Sequence, residues 1–240
     1  MTHIFYCPHA DDETLTMGVG ILQCLERGEQ VYLVLMTDGS ACGSIHFLNG
    51  TAKCPIHNKF HDPIEEHYLD GMLDTQDHIA ARRREFLSAA SLLGVPSANC
   101  RVYGYKDGKL TEEQARQIAM RIEKDEDIPS PKTHHTTTSK YDDHNDHISC
   151  GNALAALHQE GIISTVPVYY VKRSKWKTIP DGGPVEKIAA EGKQKEILRK
   201  VCEDVYMNWD PEKGHYAVGY HSVPQSFDHL LKDFTNRVHK

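Results

Sequence analysis

The chain has no run approaching the roughly 18–20 continuous apolar residues that a transmembrane helix needs. It shows no basic segment followed by an apolar stretch at its start. Neither a membrane span nor a secretory leader is therefore expected. It has no C-x-x-C pair, and its seven cysteines are an odd number. That pattern disfavours both a disulfide framework and a thiolate zinc site. Several of the cysteines lie in apolar runs, where the thiol behaves as a small buried hydrophobe. A reduced, cytoplasmic protein is expected, with Cys42 and Cys54 as the one pair whose loop-like setting suits a bridge. Positive charge is also in short supply: 27 basic against 34 acidic residues give a net charge of -7. A nucleic-acid binder would need a basic face. The short piece Lys172, Arg173, Lys175 and Lys177 reads as a solvated surface. Repeats and low-complexity segments are absent as well.

What is present suits one α/β domain spanning residues 1–240, with 39% hydrophobic residues to build a core. Residues 3–7 read as a first strand. A largely buried helix follows through Leu15, Met17, Val19, Ile21, Leu22 and Leu25, and Gly28 stops it. Val31–Met36 is a continuous apolar run, as in a strand covered on both faces. Thr37-Asp38-Gly39 then turns the chain. Strand, helix and strand within 40 residues imply a parallel pair with a right-handed crossover. Residues 40–77 lack periodicity and read as a lid or substrate loop, because long irregular connections in compact domains are usually functional.

Helix periodicity resumes at His78 and ends at Gly94. Arg101–Gly104 reads as a strand, and Thr111 with Gln114 as a capping box. Further strands are expected over 128–138, 166–171 and 216–220. Asp181–Pro184 reads as a break. A long helix is expected from Ile188 to Tyr206, and a C-terminal one from Phe227 to Val238. The alternation points to a Rossmann-like, doubly wound α/β fold, with a mostly parallel sheet and helices on both faces.

Two motifs carry chemistry. Pro8-His9-Ala10-Asp11-Asp12-Glu13 leaves the first strand, and Asp142-Asp143-His144-Asn145-Asp146-His147 opens a later helix. In open α/β sheets ligands bind beyond the carboxyl ends of the strands. Two imidazoles and a carboxylate can converge there as a metal site with open positions. Acids at a helix start can also be simple caps, but a cap explains neither His9 nor the downstream histidines. The other histidines, including His57, His61, His67 and His158, are scattered and read as surface or structural residues.

These motifs resemble the P-H-x-D-D-E and H-P-D-H signatures of the LmbE/PIG-L-like de-N-acetylases, with Asn145 in place of the usual proline. Thr37-Asp38-Gly39, the helix from Arg82 to Gly94, and Asp107-Gly108 resemble further family motifs in the same order, over roughly residues 3–152. The resemblance implies a zinc-dependent N-deacetylase, an amidohydrolase acting on a small-molecule N-acetylated amino sugar conjugate. It implies His9, Asp12 and His147 as metal ligands, usually of zinc, with Fe2+ or another divalent ion as the alternative. It makes Asp11 the general base and a protonated His144 the oxyanion stabiliser. Asp146 is expected to orient His144, and Arg82 and Asp38 are the substrate-binding candidates. Family members act on N-acetylglucosamine linked to inositol, malate, lipids or antibiotic scaffolds. Two other classes use similar residues: a non-catalytic sugar-binding module that keeps its metal for structure, and a non-haem iron oxygenase, whose usual scaffold is all-β. A dinucleotide-binding protein is disfavoured because the first strand-helix turn lacks G-x-G-x-x-G.

Overall fold

The computed structural model describes residues 1–129, 132–176 and 185–240, apart from the side chains of Lys132, Thr133 and Ser174. The expected break at Asp181–Pro184 and the basic Lys177 lie outside these residues. The first strand, β1 (Thr2–Cys7), leads into a short helix α1 (Asp12–Leu15) and then α2 (Gly18–Glu26). The single helix expected here is thus broken at Thr16-Met17. Asn236, from the far end of the chain, bridges the break: its Oδ1 accepts from the Val19 N–H and its Nδ2 donates to the Leu15 carbonyl, each at 3.0 Å.

Next come β2 (Gln30–Thr37), α3 (Ser44–Leu48), α4 (Thr75–Leu93), β3 (Cys100–Tyr105), α5 (Glu112–Lys124), β4 (Lys132–Thr138) and α6 (Asn145–Gln159). The capping box of Thr111 and Gln114 is present at α5. A second one, Asp74 with Asp77, starts α4 three residues before His78. The remaining elements are β5 (Val168–Tyr170), β6 (Glu186–Ala189), α7 (Gly192–Lys200), β7 (Trp209–Asp210), β8 (His215–Tyr216), α8 (Val218–Ser222), α9 (Pro224–Asp233) and β9 (Thr235–His239). A π-helical turn over Val201–Tyr206 extends α7.

A seven-stranded sheet runs β3-β2-β1-β4-β5-β9-β6. The first five strands are parallel, and β9 is antiparallel to both of its neighbours. The continuous apolar runs are sorted by the pleat, since successive side chains of a strand face opposite ways. Phe5, Cys7, Leu33 and Leu35 join one core, shared with α2, α4, α7 and α9. Ile4, Tyr6, Val34 and Met36 join the other, shared with α5 and α6. Packing on the first face is close: a Cβ on Gly20 would lie 1.7 Å from the Tyr170 hydroxyl oxygen. Only glycine fits there without displacing the Tyr170 ring.

Three expectations at the C-terminal end need correction. Ile188 lies in β6, not in the long helix. The segment 216–220 is not a strand beyond Tyr216. Ala217 adopts φ 48° and α8 begins at Val218. The C-terminal helix ends at Asp233, where Phe234 takes φ 47°, and Val238 belongs to β9. Of segment 40–77, five residues form α3. Leu48, Tyr68 and Leu73 pack with Tyr216, Val218 and Trp209 in a small third core. All seven cysteines are free, and Cys42 and Cys54 have different partners, Ser44 and His57. No helix among the described residues is long and apolar enough to cross a membrane.

Candidate active site and metal centre

The strand order reverses at β1, which has β2 on one side and β4 on the other. That switch point is where a doubly wound sheet opens a crevice at its carboxyl edge. The hexapeptide leaves β1 there, and the loop holding His144 and His147 leaves β4. Thr37, at the end of β2, fixes the exit of β1: its hydroxyl donates to the Pro8 carbonyl at 2.7 Å. A cavity of about 660 Å³ occupies the crevice, with His9, Asp11, Asp12, Asp107, His144 and His147 on its walls.

His9 Nδ1, Asp12 Oδ2 and His147 Nε2 form a small triangle. Its edges are 3.2 Å between the two imidazoles, 3.5 Å from His9 to Asp12 and 3.3 Å from His147 to Asp12. Ligand atoms about 2.0–2.1 Å from a tetrahedral zinc stand roughly 3.3–3.4 Å apart, so the set fits such an ion. The outer nitrogens fit as well. His9 Nε2 faces Asp146 Oδ2 at 3.1 Å and Asp107 Oδ1 at 3.2 Å. His147 Nδ1 faces Asp142 Oδ2 at 3.0 Å. Metal-binding histidines characteristically give their second N–H to a carboxylate. The charge balance points the same way. Burial works to lower the His9 imidazole, but hydrogen bonds to Asp107, Asp12 and Asp146 overcome it and hold the ring well above its usual range. Burial opposes Asp12 and Asp142 at His147 too, and the acids raise that ring to about 9. The pocket is built to attract positive charge.

Asp11 occupies the cap position of α1 yet makes no capping bond with its side chain. Its φ of 130° is a conformation that L side chains rarely adopt. The Glu13 carboxylate holds it there by accepting the Asp11 N–H at 2.9 Å. Glu13 itself is buried and takes hydrogen bonds from Thr14 at 2.6 Å and from the Tyr206 hydroxyl at 2.5 Å. The Asp11 carboxylate is thereby turned toward Arg82, whose Nη2 donates to Oδ2 at 3.2 Å. Burial raises the Asp11 carboxyl above its usual range, with Arg82 pulling the other way.

The other expected site residues fall differently. Arg82 reaches the cavity wall, but it is buried and engaged by Asp11, with Glu85 at 3.8 Å behind it. Asp38 builds a turn: its Oδ1 accepts from the Ser40 N–H at 2.9 Å and the Asp107 N–H at 3.1 Å. It thus presents Asp107 to His9 and is not among the cavity-lining residues described. The Asp146 carboxylate does not meet the His144 ring. It accepts from His9 and from the N–H groups of Gly108 at 2.8 Å and Leu110 at 3.0 Å. Only its backbone N–H touches His144, donating to Nδ1 at 3.3 Å.

Asp107 and Asp142, which face the outer nitrogens of His9 and His147, are not among the candidate residues expected from the sequence. Their only sequence signal was membership of the D-G turn and of the second motif. The Lys172-Arg173 piece, read as a solvated face, lies on the cavity rim with Trp176. Arg173 lies 4.4 Å over the Trp176 ring and pairs with Asp233. From the C-terminal third, Ser222, Val223, His229 and Asn236 complete the wall. Asp142→Asn is expected to weaken metal binding by about 10–100-fold, the usual effect of losing such an outer carboxylate. Competition with a chromogenic chelator measures it, and an unchanged affinity would remove Asp142 from the site.

Fold and site together define a doubly wound α/β protein with a two-histidine, one-carboxylate centre at its switch point. Residues 4–158 match the family described as PIG-L: GlcNAc-PI de-N-acetylase. The chain belongs to that family. No curated protein matches it. Among solved structures, a deacetylase of the teicoplanin biosynthesis pathway is 15% identical with a TM-score of 0.66, covering 100% of this chain and 98% of its own. The N,N'-diacetylchitobiose deacetylase from Pyrococcus horikoshii is 17% identical with a TM-score of 0.57, covering 99% of this chain and 83% of its own. The 4-carboxy-2-hydroxymuconate hydratase from Pseudomonas putida shares the fold too, at 13% identity and a TM-score of 0.55, with 99% and 95% covered.

Proposed function

We propose that this chain is a metal-dependent amidohydrolase that removes the N-acetyl group from an N-acetylglucosamine-type conjugate. The carrying observation is the triangle of His9, Asp12 and His147 with the Asp11 carboxylate alongside it. We assign zinc to the triangle because two imidazoles and a carboxylate at these spacings suit its tetrahedral preference. A divalent metal held there would polarise the amide carbonyl and make water acidic enough to attack near neutral pH.

The chain's own groups handle the protons. Asp11 takes one from the attacking water and returns it to the departing amine. A carboxyl raised by burial suits both halves of that transfer. Arg82 acts as a positioning residue, since it holds Asp11 Oδ2 at 3.2 Å. His144 caps α6 by accepting the Asp146 N–H at Nδ1. The neutral ring therefore carries its hydrogen on Nε2 and can donate to the oxygen that becomes negative. The protonated His144 expected from the resemblance is not required. Burial and the neighbouring His9 and His147 also keep that ring below its usual range.

The specificity region we assign to Ala41–Gly43 on one side and to Lys172, Arg173, Trp176 and α9 on the other, all of which border the cavity. The seven unpaired thiols support a reducing, cytoplasmic setting. An α/β scaffold weighs against an iron oxygenase. A base placed beside the metal triangle weighs against a module that only binds sugar.

Acetate release from N-acetylglucosamine conjugates, measured on the metal-loaded chain, tests the proposal. Release from none of a broad panel would sink it and return attention to hydratase chemistry on the same fold. His144→Ala is expected to lower kcat by about 10²–10³-fold, the range for one oxyanion donor. A variant that turns over at the parent rate would reject that role.

A further inference from the structure

We propose that Cys54, His57, His61 and His221 form a second metal site, structural rather than catalytic, that binds zinc through one thiolate and three imidazoles. One potential ligand atom from each residue lies within 4.8 Å of all the others. Cys54 Sγ is 3.8 Å from His57 Nδ1, which is 3.0 Å from His61 Nε2. Sulfur and nitrogen ligands of a tetrahedral zinc stand roughly 3.5 Å apart, and two nitrogens roughly 3.3 Å. The spacing C-x2-H-x3-H brings three ligands from one tight stretch, and the fourth comes from α8, 160 residues later.

The groups around the cluster orient each ligand inward. His61 gives its Nδ1 side to the Glu66 carboxylate, at 2.9 and 3.1 Å, which leaves Nε2 facing the cluster. His221 donates from Nδ1 to the Ala217 carbonyl at 2.8 Å. Its Nε2 is buried with no hydrogen-bond partner among the described residues, and the residue is only 2% exposed. A buried polar nitrogen without a partner is costly and uncommon in a native interior. A metal ion would satisfy it. The Cys54 sulfur accepts the His57 backbone N–H at 3.3 Å, which holds it facing the cluster. Trp209 packs against His57, His61 and His221, with ring centroids at 4.7, 4.7 and 5.4 Å, and screens the cluster. Four protein ligands leave no open position, which is the mark of a structural site.

The site has a mechanical purpose. Residues 49–74 contain no helix or strand, and Phe60, Ile64, Leu69 and Met72 are exposed, so apolar burial holds this stretch only at a few points. A Cys-His3 centre would staple it to α8. The chain doubles back so tightly that a Cβ on Gly50 would lie 1.9 Å from the His61 carbonyl oxygen, and Gly50 has φ +67°. In turn α8 is tied to the catalytic machinery. Glu85 accepts the N–H groups of Val218 and Gly219 at 2.6 and 2.9 Å, and Glu85 lies behind Arg82 and Asp11. His57 and His61, which read singly as scattered histidines, therefore meet His221 only in the folded chain.

Cobalt(II) is the probe, introduced by producing the chain in zinc-depleted, cobalt-supplemented medium. The triangle of His9, Asp12 and His147 contains no sulfur, so a thiolate-to-cobalt charge-transfer band in the near ultraviolet belongs to a cysteine-containing site. The expected result is that band, together with one cobalt per chain beyond the ion in the triangle. The band should vanish in Cys54→Ser and persist in Cys42→Ser and in His147→Ala. A wild-type chain that saturates with a single ion and shows no band overturns the proposal. So does a band that survives Cys54→Ser or disappears with Cys42→Ser. The wild-type spectrum decides even where Cys54→Ser does not fold, and acetate release plays no part in the readout.

Discussion

Asp11→Asn is expected to lower kcat by about 10²–10⁴-fold, the range for removing a general acid-base group, while the chain keeps its metal. The amide preserves the size of the side chain but cannot take a proton from water. Metal retention is expected because Asp11 lies outside the triangle, whose carboxylate edge is Asp12 Oδ2 at 3.3 and 3.5 Å from the two imidazoles. The substitution has a second consequence. Arg82 is buried and would lose the charge of its partner at 3.2 Å while keeping an amide oxygen as acceptor, and Glu85, at 3.8 Å, is itself raised to about 8 by burial. An uncompensated buried charge is destabilising by about 3–5 kcal/mol; the amide oxygen, still an acceptor for Arg82, keeps the expected loss below that. Turnover, metal content and denaturant midpoint should therefore be read together. Loss of metal with Asp11→Asn would exchange the roles assigned to Asp11 and Asp12.

His147→Ala is expected to abolish activity and to leave one fewer metal ion per chain than the parent. The variant removes one corner of the triangle and leaves the Asp142 carboxylate facing space that His147 Nδ1 had filled at 3.0 Å. His9 and Asp12 would remain as a two-ligand remnant, which has neither the charge nor the geometry of a closed three-residue set. Elemental analysis of the purified variant against the parent gives the count. Parent-level metal content at this site, with turnover lost, would make His147 a reacting group and not a ligand.

The two predictions rest on different kinds of contact. His9, Asp11 and Asp12 are neighbours in sequence, and a strand exit suffices to bring them to one edge. That part was legible because β1 and β2 are continuous apolar runs and the hexapeptide interrupts the first. His147 enters the site only because β4 pairs with β1, Phe5 opposite Thr136, which puts the following loop beside the hexapeptide. The motif spacing suggested the meeting, and the sheet register brings it about. Asp107 and Asp142 were not legible as site residues. Each looks like an ordinary turn or cap acid until the second nitrogen of a histidine is seen to face it.

The C-terminal third departs from its sequence periodicity for a physical reason too. Phe227, Leu230, Leu231 and Phe234 follow helical spacing, and Val238 continues it by four residues. Local periodicity cannot register the left-handed turn at Phe234 or the vacant edge of β5 that β9 fills. Likewise Tyr216–Tyr220 alternates like a strand, yet Gly219 packs against Tyr206 and Arg82, where a Cβ would lie 2.6 and 2.8 Å from them.

By itself the sequence determined the layered α/β class, the position of the first two strands and the capping box of α5, and it put His9, Asp11 and Asp12 together at one strand exit. These follow from side-chain periodicity and short motifs, which are local. Tertiary structure alone decided what surrounds the triangle: which carboxylates steady His9 and His147, that Arg82 faces Asp11, that Asp38 builds a turn, and that Cys54, His57 and His61 meet His221. All but one of these are contacts between segments far apart in the chain; the exception, Asp142 against His147, lies within one loop, whose conformation the packing around it sets. Their geometry is set by strand register and core packing, to which no stretch of residues read alone is sensitive.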